Sequence, residues 1–138
     1  MTIGPAAPNP SGIPGFNCVQ GITAHAGGGQ TNATPLPAWL NEVSVVATAN
    51  DSVMLPPGYA GAAVTIINDG VASMQVFGYL PASGAGDTIA AHGSATQVAT
   101  GTGVAQGAGT IATYFCFSGE NGNTNNTNAA LWKQFLTA

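Results

Sequence analysis

The side chains able to do chemistry near neutral pH are few and scattered along the chain. His25 and His92 are the only imidazoles, Cys18 and Cys116 the only thiols, and Glu42, Asp51, Asp69, Asp87 and Glu120 the only side-chain carboxylates. Each histidine lies beside glycine, in His25-Ala26-Gly27 and Ala91-His92-Gly93, and reads as a loop residue. A metal site needs three or four convergent ligands, and neither histidine has a carboxylate or a thiol at ligand spacing. Cys116 stands between Phe115 and Phe117. An apolar setting raises a thiol's pKa and makes it a poor nucleophile, so Cys116 reads as a small buried residue. A bridge to Cys18 stays open, but two distant cysteines make no disulfide framework. Asp51, Asp69 and Asp87 begin or form turns, where carboxylates cap backbone groups rather than work as an acid–base pair. No Gly-x-Ser-x-Gly elbow occurs, and Gly27-Gly28-Gly29 and Gly101-Thr102-Gly103 lack the lysine of a phosphate loop. The expectation is therefore no enzyme: no catalytic residue, no metal ligand and no cofactor.

The elements that would carry these residues are short and β-like. The chain has 138 residues, 20 of them glycine and 9 proline. Its first 41 residues carry no charge and hold six of the prolines. Proline fixes one dihedral and removes a donor, so residues 1–20 read as an extended arm and 21–40 as an irregular lead-in. Ile3, Ile13, Phe16, Leu36 and Trp39 give this stretch apolar anchors, and they are the expected partner-binding residues. From residue 41 to 138 the pattern is that of a β-sandwich body. β runs are expected near 43–48, 51–55, 62–68, 71–77, 87–91, 95–99 and 110–118; the last run, 129–136, reads as a strand pairing with 110–118, with a short C-terminal helix as the alternative because Leu131, Phe135 and Leu136 also have helical spacing. Asp69-Gly70 between two alternating runs predicts a hairpin, since both residues tolerate the positive φ of a type I′ turn. Val64 and Ile66 alternate with Ala63, Thr65 and Ile67, so that strand is apolar on both faces, facing two layers or a core and an interface. In 110–118, Ile111, Thr113, Phe115 and Phe117 share one face and Ala112, Tyr114 and Cys116 the other. Gly101 to Gly109 reads as a loose crossing and the Asn-rich 119–128 as an exposed loop. The fold class is all-β, a small antiparallel sandwich or barrel of jelly-roll type with an extended N-terminal arm.

Charge excludes several partners. One lysine, Lys133, faces five acidic residues, and charged residues are 4% of the chain. Nucleic-acid binding needs several cations to displace counterions from phosphates, and a polybasic membrane anchor needs them too. No apolar run approaches the ~18 residues of a membrane span. The first residues lack a basic start and an apolar segment, so no secretory route is expected. A lone monomer is ordinarily coated in charge for solubility. A coat of Thr, Ser, Asn, Gln, Ala and Gly instead suits a subunit buried in an assembly.

A series of motifs carries a resemblance. Gly21-Ile22-Thr23-Ala24-His25-Ala26-Gly27-Gly28-Gly29-Gln30, Asp51-Ser52-Val53-Met54-Leu55-Pro56 and Val64-Thr65-Ile66-Ile67-Asn68-Asp69-Gly70 come first. Met74-Gln75-Val76-Phe77, Gly86-Asp87-Thr88-Ile89, Ala112-Thr113-Tyr114-Phe115-Cys116 and Trp132 follow. In this order they resemble small β-rich virion proteins of tailed bacteriophages. The resemblance implies a capsid decoration (cement) protein, made in the host cytoplasm and placed on the capsid surface. Its implied partners are the major capsid protein or another virion protein and copies of itself, with a homotrimer favoured. A tail, head-fibre or adaptor subunit is the alternative. A carbohydrate- or cell-surface-binding module is a further one, drawn from Tyr59, Tyr79 and Trp132 near loops.

Overall fold

The computed structural model describes residues 17–82, 85–118 and 129–137. The expected arm residues Ile3, Ile13 and Phe16, and the Asn-rich loop 119–128, lie outside these. Among the described residues ten strands form two sheets: β1 (Cys18–Thr23), β2 (Thr34–Pro35), β3 (Leu40–Val45), β4 (Ser52–Met54), β5 (Ala63–Asn68), β6 (Met74–Phe77), β7 (Thr88–Ala90), β8 (Val104–Gln106), β9 (Ile111–Ser118) and β10 (Leu131–Thr137). The larger sheet runs β1-β3-β5-β9-β10-β7 and the smaller β2-β4-β6-β8. The fold is all-β and sandwich-like.

From β1 to β9 the chain changes sheet at every strand. Three consecutive coils result, β1/β2, β3/β4 and β5/β6, and each stacks in parallel on the next through β1–β3, β3–β5, β2–β4 and β4–β6. Parallel neighbours need a long crossover. Here the crossover is the strand contributed to the opposite sheet. The later strands close the stack in mixed directions: β8 antiparallel to β6, β9 to β5, β10 to β9, and β7 parallel to β10. The sheets are thus mixed: the all-β, sandwich-like expectation holds, with parallel pairs beside the antiparallel ones expected. Alternation of apolar and polar residues has the same period in parallel and antiparallel strands, so it does not report direction.

The hairpin expected at Asp69-Gly70 is absent. β5 pairs with β3 and β9, while β6 pairs with β4 and β8 in the other sheet. Residues 69–73 are a sheet-to-sheet crossing. Asp69 N donates to Val43 O at 3.0 Å and Val71 N to Val46 O at 3.1 Å, so the crossing is tied to the coil before it. The Asn68 amide fastens the corner from below, donating to the carbonyls of Ala72, Gln106 and Gly107 and accepting from Gly70 N.

The lead-in is not irregular. With residues 18–20, which leave the expected arm to join the sheet, it holds β1, a 3₁₀ turn at Gln30–Asn32 and β2, and so forms the first coil of the body. Pro35 sits in β2, the edge strand of the smaller sheet, where a missing N–H costs no ladder bond. The segment 95–99 makes only an isolated bridge, Gln97 to Ala90, whereas the glycine-rich crossing contains β8. The last strand pairs with 110–118 as expected.

Between the sheets lies one core. Val43, Val53, Leu55, Val64, Ile66, Met74, Val76, Ile89 and Trp132 are buried in it. Each such aliphatic side chain contributes about 1.5–3 kcal/mol relative to exposure. A line of amides crosses this core. Tyr114 Oη donates to Gln106 Oε1 at 3.0 Å and accepts from Gln134 Nε2 at 2.9 Å. Gln106 Nε2 donates to Ile66 O and Thr110 O, and Gln134 Nε2 also to Ala105 O. Buried polar groups are stable only when so paired, and these bonds join the two sheets at a fixed register.

Candidate interaction face

The structure disperses the chemically capable residues. His25 is exposed, and its backbone bridges Ser52. His92 is exposed at the far edge, where its Nδ1 accepts from Leu136 N at 3.2 Å. Among the described residues no group of three His, Cys, Asp or Glu could hold a metal ion. Cys18 and Cys116 are both free thiols, the first exposed and the second buried. Burial pushes the Cys116 thiol up to about 11, so its nucleophilic form is scarce at neutral pH.

Two of the turn aspartates cap backbone groups as expected. Asp51 accepts from the Thr48 hydroxyl at 2.6 Å and from the N–H groups of Ala47, Thr48 and Gly27. The Thr48 hydroxyl first, and then the Ala47 and Thr48 amides, hold its carboxyl below the usual carboxylate value. Asp87 is buried and accepts from Gly58 N, Ala130 N and the indole Nε1–H of Trp132. The chain closes so tightly on this carboxylate that a Cβ on Gly58 would lie 2.5 Å from Ala130 Cβ. Asp87 thus ties two distant stretches, at Gly58 and at residues 130–132, to its own.

Of the anchors expected to bind a partner, Leu36 is 3% exposed and belongs to the core, which corrects that assignment. Its N–H bonds Met54 O across β2 and β4, and this pairing turns the side chain inward. Trp39 is exposed and lines a shallow cavity of about 270 Å³ with Asn17, Pro37, Ala38 and Pro56. Trp132 is wholly buried, so it offers no platform to a sugar ring; Tyr59 is exposed and Tyr79 half-buried.

What the residues do build is a face. In β9 the inward positions are Ala112, Tyr114 and Cys116, and Ile111, Phe115 and Phe117 point away from the core. The neighbouring strands continue this outward layer in register. Ile67 lies beside Ile111, Thr65 beside Thr113, and Ala63 beside Phe115 on β5. On β10, Phe135 lies beside Thr113 and Lys133 beside Phe115. Phe115 and Phe135 meet edge to face at 5.4 Å, and the Lys133 ammonium stands 6.0 Å from the centre of the Phe135 ring. Thr65 and Thr113 share a hydroxyl hydrogen bond of 3.1 Å in the middle of the layer. Phe117 is 64% exposed, and Ile111, Phe115, Leu131 and Phe135 are each about 40% exposed. Sequence reasoning placed Ile111, Phe115 and Phe117 on one face but did not mark it as the outer one. The signal was present in Cys116, which belongs inside and carries the other set outward.

The described residues thus present an outward row of phenylalanines with Lys133 beside it. Among the described residues no helix is long and apolar enough to cross a membrane. No family model, curated protein or solved structure matches the chain.

Proposed function

We propose that the chain is a structural subunit of a tailed-phage particle, most specifically a capsid decoration protein. It binds the outer shell as an oligomer and stabilises it mechanically. The observation that carries this reading is the phenylalanine-rich outer layer of the larger sheet on a chain that has one lysine and five acidic residues. Contiguous apolar surface on a small soluble domain marks an interaction site. Burying it contributes about 25 cal/mol per Å², and the same small contact repeated over a closed shell resists outward pressure. The order of motifs that resembles small phage virion proteins supports the placement in a particle. The two-layer, cross-tied β body supports a mechanical role, because it joins nonlocal strands through a paired polar line as well as an apolar core.

The test is location. Particles carrying the subunit fused to a compact label are imaged by electron microscopy. Extra density at regular positions over the shell agrees with the reading. Density confined to the tail or fibres would move the protein to the adaptor alternative, and label absent from purified particles would remove the virion reading altogether.

A further inference from the structure

We infer that the outer face of the larger sheet is a self-complementary interface, on which a second copy of the same chain lies about a two-fold axis. The inference rests on reading that face as an assembly surface; it does not depend on placement in a particle.

Lys133 is the only Lys or Arg of the chain, and it projects from β10 onto this surface. Glu42 projects onto the same surface from β3, between the inward-facing Asn41 and Val43. Strands β5 and β9 separate them and bring no charge to the outer layer between them. The registers fix their relation. Lys133 aligns with Phe115 and Ala63, and Glu42 aligns with Ile67, four residues further along β5. They therefore stand about 14 Å apart across the sheet and about 13 Å apart along it.

An isologous contact brings each residue of a pair to the other on the partner copy. The in-plane two-fold axis that sets Lys133 of one copy over Glu42 of the other passes midway between them. That point lies between β5 and β9 at Thr65 and Thr113. These are small side chains already hydrogen-bonded to each other, so the facing layers approach there without a clash. Ile67, Ile111, Phe115 and Phe135 surround the point and become the dry part of the contact. The axis runs diagonally to the strands, so the facing sheets cross near a right angle, one of the two common sheet-on-sheet arrangements. Lys133 stands at one corner of an apolar field and Glu42, with Asp69 in the same cavity, at the other, so a second copy of the same field sets each cation over a carboxylate corner. Any other partner must supply both opposite charges at the same spacing.

Sedimentation equilibrium of the full chain at about 50 mM salt, where exposed charges are weakly screened, tests the inference. The wild type is expected to form dimers. Glu42→Lys and Lys133→Glu each place like charges opposite one another, and each is expected to weaken the dimer at least about tenfold. The double variant Glu42→Lys/Lys133→Glu restores the pairing and is expected to regain wild-type association. Circular dichroism confirms that each variant is folded. A second route needs no charge change: Thr113→Cys in a Cys18→Ser background places two thiols across the axis, about 10 Å apart between facing sheets. A short bismaleimide is expected to link them into a covalent dimer. A monomeric or trimeric wild type, single variants that associate normally, or a folded double variant that stays monomeric would each overturn the inference. If the inference fails while the labelled subunit still decorates particles, only the two-fold interface is lost.

Discussion

Gly70 packs directly against Val46: a Cβ added to Gly70 would lie 2.4 Å from Val46 Cβ and 2.7 Å from its backbone N. Its φ lies outside the left-handed region, so the glycine is needed for room and not for turn geometry. This contact is where the third coil of the fold is laid against the second.

The two accounts of Gly70 separate experimentally. In a type I′ hairpin, Asn would substitute well because it tolerates positive φ. At a close crossing, any Cβ is overpacked. Gly70→Ala, Gly70→Asn and Gly70→Val are all expected to destabilise the protein, by about 1–3 kcal/mol. Urea unfolding reads the difference. An Asn variant as stable as wild type would contradict the crossing.

The same residue shows what the sequence can and cannot say. Asp-Gly between two alternating runs has identical local chemistry in a hairpin and in a crossing. The difference is made by Val43, Val46, Gln106 and Gly107, which meet residues 68–71 from far along the chain. Parallel pairing is invisible for a similar reason, since direction leaves no trace in a period of two. The all-β class, the strand at 110–118, its C-terminal partner and the two faces of β9 were legible, because they follow from alternation and β-branched content alone. The outer face as a surface was not, since Lys133, Phe135, Phe115 and Ile67 become neighbours only through register. The first coil was hidden by its prolines and by the irregular register between Val19 and Ile22.

Asp87 joins Gly58, Ala130 and Trp132 in one buried node. Asp87→Ala leaves buried donors unpaired at about 1–3 kcal/mol each. The expected loss is about 3 kcal/mol or more, with a matching change in Trp132 fluorescence on the native baseline. Asp87→Asn keeps the shape and one acceptor oxygen and is expected to lose less. Equal stability of the alanine variant would mean that the node is not formed.

The thiols should differ in reactivity. Cys18 is exposed, whereas Cys116 is buried with its thiol pushed up to about 11. At pH 7 a small alkylating reagent is expected to label one thiol per native chain quickly, and the second only as the protein unfolds. Mass spectrometry of the labelled peptides identifies them. Rapid labelling of Cys116 in the folded protein would contradict its place in the core.

Acid should weaken the turn at Asp51. Its carboxyl is held low in the folded chain and returns to about 3.9 when unfolded. The folded state is therefore favoured by this group above about pH 4, and the contribution is lost as pH falls through the lower folded value. Stability is expected to drop as pH falls below about 4, and Asp51→Asn should flatten that drop while lowering stability at pH 7. A variant with an unchanged acid profile would show that the Thr48 and Ala47 hydrogen bonds do not hold the proton off.

The central claim is that a nearly uncharged subunit grips its assembly by apolar contact. The most direct measurement is the fraction of subunit that stays with sedimented particles across a salt series and a urea series. Charge contacts are screened within about 8 Å at physiological salt, whereas apolar contact weakens in urea and not in sodium chloride. The account predicts near-complete retention at about 1 M NaCl, and release in moderate urea before the β body itself unfolds. Steep loss between low and physiological salt would mean that a charged partner surface holds the protein, and would contradict an apolar grip on the particle.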